Sequence, residues 1–143
     1  MRVLLIGATG TIGREVASVL KVDHELVTAS RNSGDFPVDL AEPDSIAALF
    51  RQAGRLDAVV CAAGAARFGP LAELDYDDFL FSLKNKLMGQ VNLVRLGLHS
   101  INDNGSFTLT SGILAREPMP GSSAISMVNA GLEGFVRAAQ LEL

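Results

Sequence analysis

The sequence predicts an α/β protein: a doubly wound parallel sheet in three α/β/α layers. Three observations predict it. Val3-Leu4-Leu5-Ile6 is an uninterrupted apolar run, as a strand buried on both faces requires. Further short apolar runs recur along the chain, separated by stretches with helical spacing, the pattern of strands joined by crossover helices. Glycine closes the first run, where a buried strand must turn sharply into its helix.

In chain order, the first strand leads into a helix from about Thr11 to Leu20, with Ile12, Val16, Val19 and Leu20 at helical spacing. Leu26-Val27-Thr28-Ala29 predicts a second strand, and Asp35 to Asp39 a short third. Asp44 to Phe50 continues as a helix whose apolar face is Ile46, Leu49 and Phe50. Ala58-Val59-Val60-Cys61 is the fourth strand, closed by Ala62-Ala63-Gly64. A long amphipathic helix is expected from Asp77 to about Ile101, then a strand at Phe107-Thr108-Leu109-Thr110. Pro118, Pro120 and Gly121 mark Ser111 to Ser123 as loop, and Ala124 to Leu143 reads as a final helix. No strand follows that helix, so Phe107 to Thr110 would form a bare sheet edge, which single domains avoid. The expectation is one domain, residues 1–143, in a fold that is truncated or completed by a partner.

Composition narrows the function. Hydrophobic residues make up 48% and charged residues 20%, which suits a packed domain and excludes a disordered chain. A net charge of −4, with 12 scattered basic residues, argues against a nucleic-acid surface. Cys61 is the single cysteine, and no Cys/His spacing suits a metal, so neither disulfide nor metal site is expected. Four apolar residues between Arg2 and Gly7 are too few for a signal peptide or a membrane span. The expected setting is cytoplasmic, without membrane or nucleic-acid partners.

The turn after the first strand reads Gly7-Ala8-Thr9-Gly10-Thr11-Ile12-Gly13. Three glycines between a buried strand and a helix suit a dinucleotide: a tight turn, a close approach to pyrophosphate, and close packing of helix on strand. The pyrophosphate would sit on the free amides at the helix N-terminus. Gly7, Thr9, Gly10, Thr11, Ile12 and Gly13 are therefore the candidate loop contacts. An NAD site places an acid at the end of the second strand, but here Ser30 and Arg31 stand there. An arginine can fork onto a 2′-phosphate, and Arg14 in the first helical turn is a second candidate clamp. NADP is the expected cofactor, against the alternative that both arginines are merely solvated.

These residues resemble the short-chain dehydrogenase/reductase family across essentially the whole chain, and the resemblance implies a Rossmann-like fold of strand order 3-2-1-4-5. The likeness is carried by Gly7 to Gly13, Val38-Asp39-Leu40, Ala62-Ala63-Gly64, Lys86-Leu87-Met88-Gly89, and Gly105 to Leu143. It implies that Asp39 and Leu40 flank the adenine and that Ala62, Ala63 and Gly64 line the cofactor. It also implies that the family's last strands and substrate loop are missing, and that copies pair through the two long helices as a homodimer.

The active site departs from the family. Its reaction uses a Tyr as acid/base, a Lys four residues later, a Ser, and an Asn on the long helix. Alignment through Ala130-Gly131 places Ile125 at the Tyr position and Asn129 at the Lys position. Isoleucine cannot move a proton. Ser111 best matches the serine, with Thr110 and Gly112 as alternatives if the loop carries one extra residue. Lys86 stands where the family has its Asn, so lysine and asparagine have exchanged helices. Ser111, Lys86 and Asn129 are the catalytic candidates, with Lys86 as cation or proton donor. Three functions follow: an NADP-dependent oxidoreductase of a small carbonyl or alcohol, a non-catalytic NADP(H) sensor or partner subunit, or an assembly module whose glycine loop is a relic.

Overall fold

The computed structural model describes residues 1–143, in two compact units: residues 1–63 with 92–110, and residues 64–91 with 111–143. The first unit holds the whole sheet. Its strands are β1 (Arg2–Ile6), β2 (Glu25–Ser30), β3 (Phe36–Pro37), β4 (Leu56–Cys61) and β5 (Ile101–Thr108). They lie parallel in the order β3-β2-β1-β4-β5, the predicted order, which leaves β3 and β5 as the sheet edges.

Alternation along β1 divides its side chains between the two faces. Leu4 and Ile6 join a core with Val27, Ala29, Val59 and Cys61 and with Ile46, Leu49 and Phe50 of α2 (Pro43–Ala53). Leu93 of α4 (Gly89–Gly97) lies in the same core. Val3 and Leu5, equally buried, face the other way. The step from β1 to β2 through α1 (Thr11–Asp23) runs in one direction along the sheet, and the step from β3 to β4 through α2 runs in the other. Right-handed crossovers in opposite directions put α1 and α2 on opposite faces, which is the doubly wound arrangement.

The third strand covers only Phe36–Pro37 of the expected Asp35 to Asp39, the final helix ends at Ala139 rather than Leu143, and two elements differ more from the sequence expectation. β5 begins at Ile101, not near Phe107, with a register shift against β4 and Asn104 at φ 63°. The polar run Asn102-Asp103-Asn104-Gly105 hid this. Asn102 donates to Asp57 Oδ1 at 2.8 Å and accepts from Arg55 Nε at 2.9 Å, so side-chain bonds hold the strand's first half.

The long helix is also broken. It runs as α3 (Tyr76–Ser82), a π-helical stretch over Leu83–Met88, α4, and a closing 3₁₀ turn over Leu98–Ser100. At the junction Ser82 Oγ bonds the Asp78 carbonyl and Asn85 Nδ2 bonds the Phe81 carbonyl, at 2.9 and 3.0 Å. Side chains inserted into the backbone ladder are a known cause of such irregularity. α3 starts on a full capping box between Asp75 and Asp78.

The second unit is built on α5 (Ser123–Ala139), which buries Ala124, Val128, Asn129 and Leu132. Arg67 stacks over the Phe81 ring at 4.0 Å and pairs with Asp78 at 3.2 Å. No helix is long and apolar enough to cross a membrane.

Candidate functional site

The glycine loop shows three different reasons for glycine. Gly7 adopts φ +88°, and a Cβ there would lie 2.8 Å from the Ala62 carbonyl oxygen and from Ala63 Cβ. At Gly13 a Cβ would fall 1.9 Å from the Gly7 carbonyl oxygen, so only glycine lets α1 lie this close to the turn. Gly10 has no such neighbour: its nearest is the Gly7 carbonyl oxygen at 3.5 Å, an ordinary contact. The fold needs Gly7 and Gly13, while the space in front of Gly10 is open.

Gly10 also caps α1, with no side chain bonded to the first amides and no acid in the first turn. Those N–H groups and the positive end of the helix dipole are available to an anion. Thr9, Gly10, Thr11 and Ile12 are exposed around them, Ile12 at 58%. The residues present therefore fit a pyrophosphate.

At the end of β2, Arg31 is exposed and pairs loosely with Asp39, Nη2 to Oδ1, at 3.4 Å. Asp39 is fixed from its own side: Oδ1 accepts the Ala41 N–H at 3.0 Å and the Asp39 N–H bonds Ser45 Oγ. The sequence separates Arg31 from Asp39 by eight residues, and β3 folds them together. Leu40 beside them is buried, and Arg14 is exposed on α1. Behind the loop, the Ala62 N–H bonds the Ile6 carbonyl and Thr110 Oγ1 bonds the Cys61 carbonyl at 2.6 Å.

The second unit carries the other candidates. Ser111 Oγ lies 3.1 Å from Glu133 Oε1 and 3.3 Å from the Asn129 carbonyl oxygen. Asn129 is 1% exposed, and its Oδ1 has no hydrogen-bond donor. A Cβ on Gly112 would lie 2.8 Å from Asn129 Nδ2, so the bare Gly112 backbone makes room for that amide. Lys86 is half-buried in the π-helical stretch, and Gly64, at φ +140°, packs on its stem with a notional Cβ 3.2 Å from Cγ. Ile125 is half-buried on α5, and the single tyrosine, Tyr76, is 75% exposed.

Sequence reasoning missed Glu133. Arg116 donates from Nε and Nη2 to its Oε2, both at 3.1 Å, and Arg137 lies 3.9 Å away. The Arg116 hydrogen bonds, and then the Ser111 hydroxyl, hold the Glu133 carboxyl below its ordinary range. Its separation of 17 residues from Arg116 and 22 from Ser111 gave no linear signal. No cluster of His, Cys, Asp and Glu is placed to hold a metal.

Fold and loop together define a doubly wound α/β protein with an anion-ready glycine turn. A family model described as enoyl-(acyl carrier protein) reductase matches residues 11–143. The chain is 29% identical over 131 residues to hydroxynaphthalene reductase arp2 of Aspergillus fumigatus, covering 87% of this chain and 47% of that one. It thus spans about half the length of that curated relative. The crystal structure of the protein lin1944 from Listeria innocua superposes with a TM-score of 0.98 at 44% identity, over 99% of this chain and 71% of that one. A small-chain dehydrogenase solved in complex with NADPH superposes with a TM-score of 0.92 at 26% identity, over 99% of this chain and 64% of that one. The chain belongs to the short-chain dehydrogenase/reductase family.

Proposed function

We propose that the chain binds NADP(H) and serves an oxidoreductase acting on a small carbonyl/alcohol pair. The observation that carries this is the open space at Gly10 over uncapped α1 amides, between two glycines that the fold itself demands. The dinucleotide supplies hydride chemistry when bound. Thr9 to Gly13 cradle its pyrophosphate, Arg31 and Arg14 take the 2′-phosphate, and Asp39 with Leu40 flank the adenine. Ala62, Ala63 and Gly64 line it. Ser111, Lys86 and Asn129 are the polar groups left for the substrate, with Lys86 holding or donating the proton that Ile125 cannot.

NADPH titration of the purified chain tests the binding. Arg31→Asp should lower NADPH affinity by about tenfold to a hundredfold, the worth of a charge-assisted contact, while sparing NADH. An unchanged NADPH/NADH ratio refutes the assignment. An NADPH-consumption screen over carbonyl compounds, repeated with Lys86→Ala, tests the chemistry.

A second reading is favoured by Ile125 and the exposed Tyr76: an NADP(H)-binding sensor or partner subunit without turnover. Tight NADPH binding with no consumption across the screen selects it.

A further inference from the structure

Asn104 is the one residue other than glycine with a positive φ, 63°, and it stands directly before Gly105. It lies where β5 is irregular. Leu56 pairs with Ile101 and Ala58 with Ser106, so Asp57 of β4 alone faces residues 102–105 of β5. The excess chain forms a bulge on an edge strand of the sheet. Asparagine is among the few side chains that tolerate such a left-handed backbone. Gly105 is required for a different reason. A Cβ there would lie 2.7 Å from Ile101 Cγ1 and 2.8 Å from the carbonyl oxygens of Asn102 and Asp57. Two of those three are backbone atoms that cannot swing aside. The bulge therefore demands glycine at 105 and favours asparagine at 104, which leaves an exposed Asn104 in front of a glycine.

That pair has chemistry of its own. The backbone nitrogen after an asparagine, on losing its proton, can attack the side-chain carbonyl, and a glycine there offers no side chain to hinder it. Among the six asparagines, the other five are denied this step. Asn85, Asn92 and Asn129 are buried in helical segments, whose ladder engages the backbone amides. Asn32 is exposed, but the Ser33 N–H that would attack it is bonded to Ser30 Oγ at 3.0 Å. The Asn102 amide is held at both atoms, by Asp57 and by Arg55. No side-chain bond holds the Asn104 amide.

We propose that Asn104 is a site of spontaneous deamidation, and that its isoaspartyl product loosens the first half of β5. The Gly105 nitrogen bonds to Asn104 Cγ, the Cγ–Nδ2 bond breaks, and Nδ2 leaves as ammonia with the proton that the Gly105 nitrogen gave up. Water then opens the cyclic imide. Cleavage between the Gly105 nitrogen and Cγ leaves aspartate. Cleavage between that nitrogen and the backbone carbonyl carbon of residue 104 leaves isoaspartate, whose main chain runs through Cβ and Cγ. No electron is transferred and water is the only co-reactant. The isoaspartyl chain is longer by a backbone atom just before Gly105, which has no room against Ile101, Asn102 and Asp57. Either product adds a negative charge next to Asp103.

The test incubates the purified full chain in warm, mildly alkaline buffer and follows every asparagine by peptide mass spectrometry, with electron-transfer fragmentation to separate isoaspartate from aspartate. Asn104 should be lost before any other asparagine, faster as the pH rises, with isoaspartate the larger product. Ion exchange should resolve an acidic form that grows in the wild type and is absent from Asn104→Gly, a variant that accepts the left-handed backbone. The isolated isoaspartyl form should unfold in urea at a midpoint lower by about 1 M, the scale of overpacking a tight site. Asn104→Asp carries the same charge on an unlengthened backbone and should keep a midpoint near the wild type. An Asn104 that persists, or that converts no faster than Asn32, overturns the proposal, as does an acidic form that still grows in Asn104→Gly. An isoaspartyl form as stable as Asn104→Asp overturns the loosening of β5. No cofactor enters the test, so its outcome is independent of the NADP(H) reading.

Discussion

Gly10 and Gly13 should respond in opposite ways to the same added methyl group. In Gly13→Ala the new Cβ would lie 1.9 Å from the Gly7 carbonyl oxygen, 2.7 Å from Gly7 C and 3.0 Å from Ala8 Cα. All three are backbone atoms, so no rotamer relieves the clash and α1 must move away from the turn. The cost should reach about 3 kcal/mol, the upper end for overpacking a well-packed site. With a urea slope of about 1–3 kcal/mol/M, the midpoint should fall by about 1–3 M.

In Gly10→Ala the nearest atom is 3.5 Å away, so the protein itself loses little. Alanine is a poorer N-cap than glycine, and the stability loss should stay near about 0.5–1 kcal/mol. The same methyl group fills the space over the first α1 amides, and NADPH affinity should drop by about tenfold, or ~1.4 kcal/mol. Urea unfolding by circular dichroism and NADPH fluorescence titration measure the two quantities. A Gly10→Ala protein that binds NADPH like the wild type refutes the assignment of that space to a ligand. A Gly13→Ala protein with an unshifted midpoint refutes the packing argument.

Two further outcomes follow from the packing and the charges. Gly97→Ala should cost about 1–3 kcal/mol by overpacking, because its Cβ would lie 2.5 Å from Phe50 Cζ in the core, and urea unfolding measures it. Stability should also fall in acid. The Asp57 carboxyl is lowered from 3.8 by the Asn102 side chain and the Arg2 N–H, Asp35 is lowered from 3.8 chiefly by the Thr28 N–H, and Glu133 is lowered from 4.5 by Arg116. A depressed carboxyl binds fewer protons folded than unfolded, so its contribution is present above the unfolded value and is lost as pH falls through the folded one. Stability should be flat above about pH 5 and decline below it, and Asp57→Asn should flatten part of that decline in urea unfolding across pH 3–6.

The sheet was legible in the sequence because its strands are short apolar runs and local periodicity reports burial directly. Val3 to Ile6, Leu26 to Ala29 and Ala58 to Cys61 all fall within strands. β5 was read short because its first half is polar and is held by Asn102, Asp57 and Arg55 rather than by apolar burial. The π-helical break was invisible for a related reason: Ser82 and Asn85 look like ordinary polar positions until their bonds to backbone carbonyls are seen.

The glycine loop divides along the same line. Spacing within a strand–turn–helix context was enough to single out Gly7, Gly10 and Gly13, because the turn is local in the chain. Which of them the fold requires, and which stands before open space, depended on atoms brought in by α1 and by Ala62 and Ala63. The arginine at the end of β2 was likewise readable, but its pairing with Asp39 was made by β3. Linear reading also supplied Ser111 and Asn129 as candidates. Glu133 and its bond to the Ser111 hydroxyl came only from the packing of the Ser111–Arg116 segment against α5, since a hydrogen bond between residues 22 apart leaves no trace in local spacing.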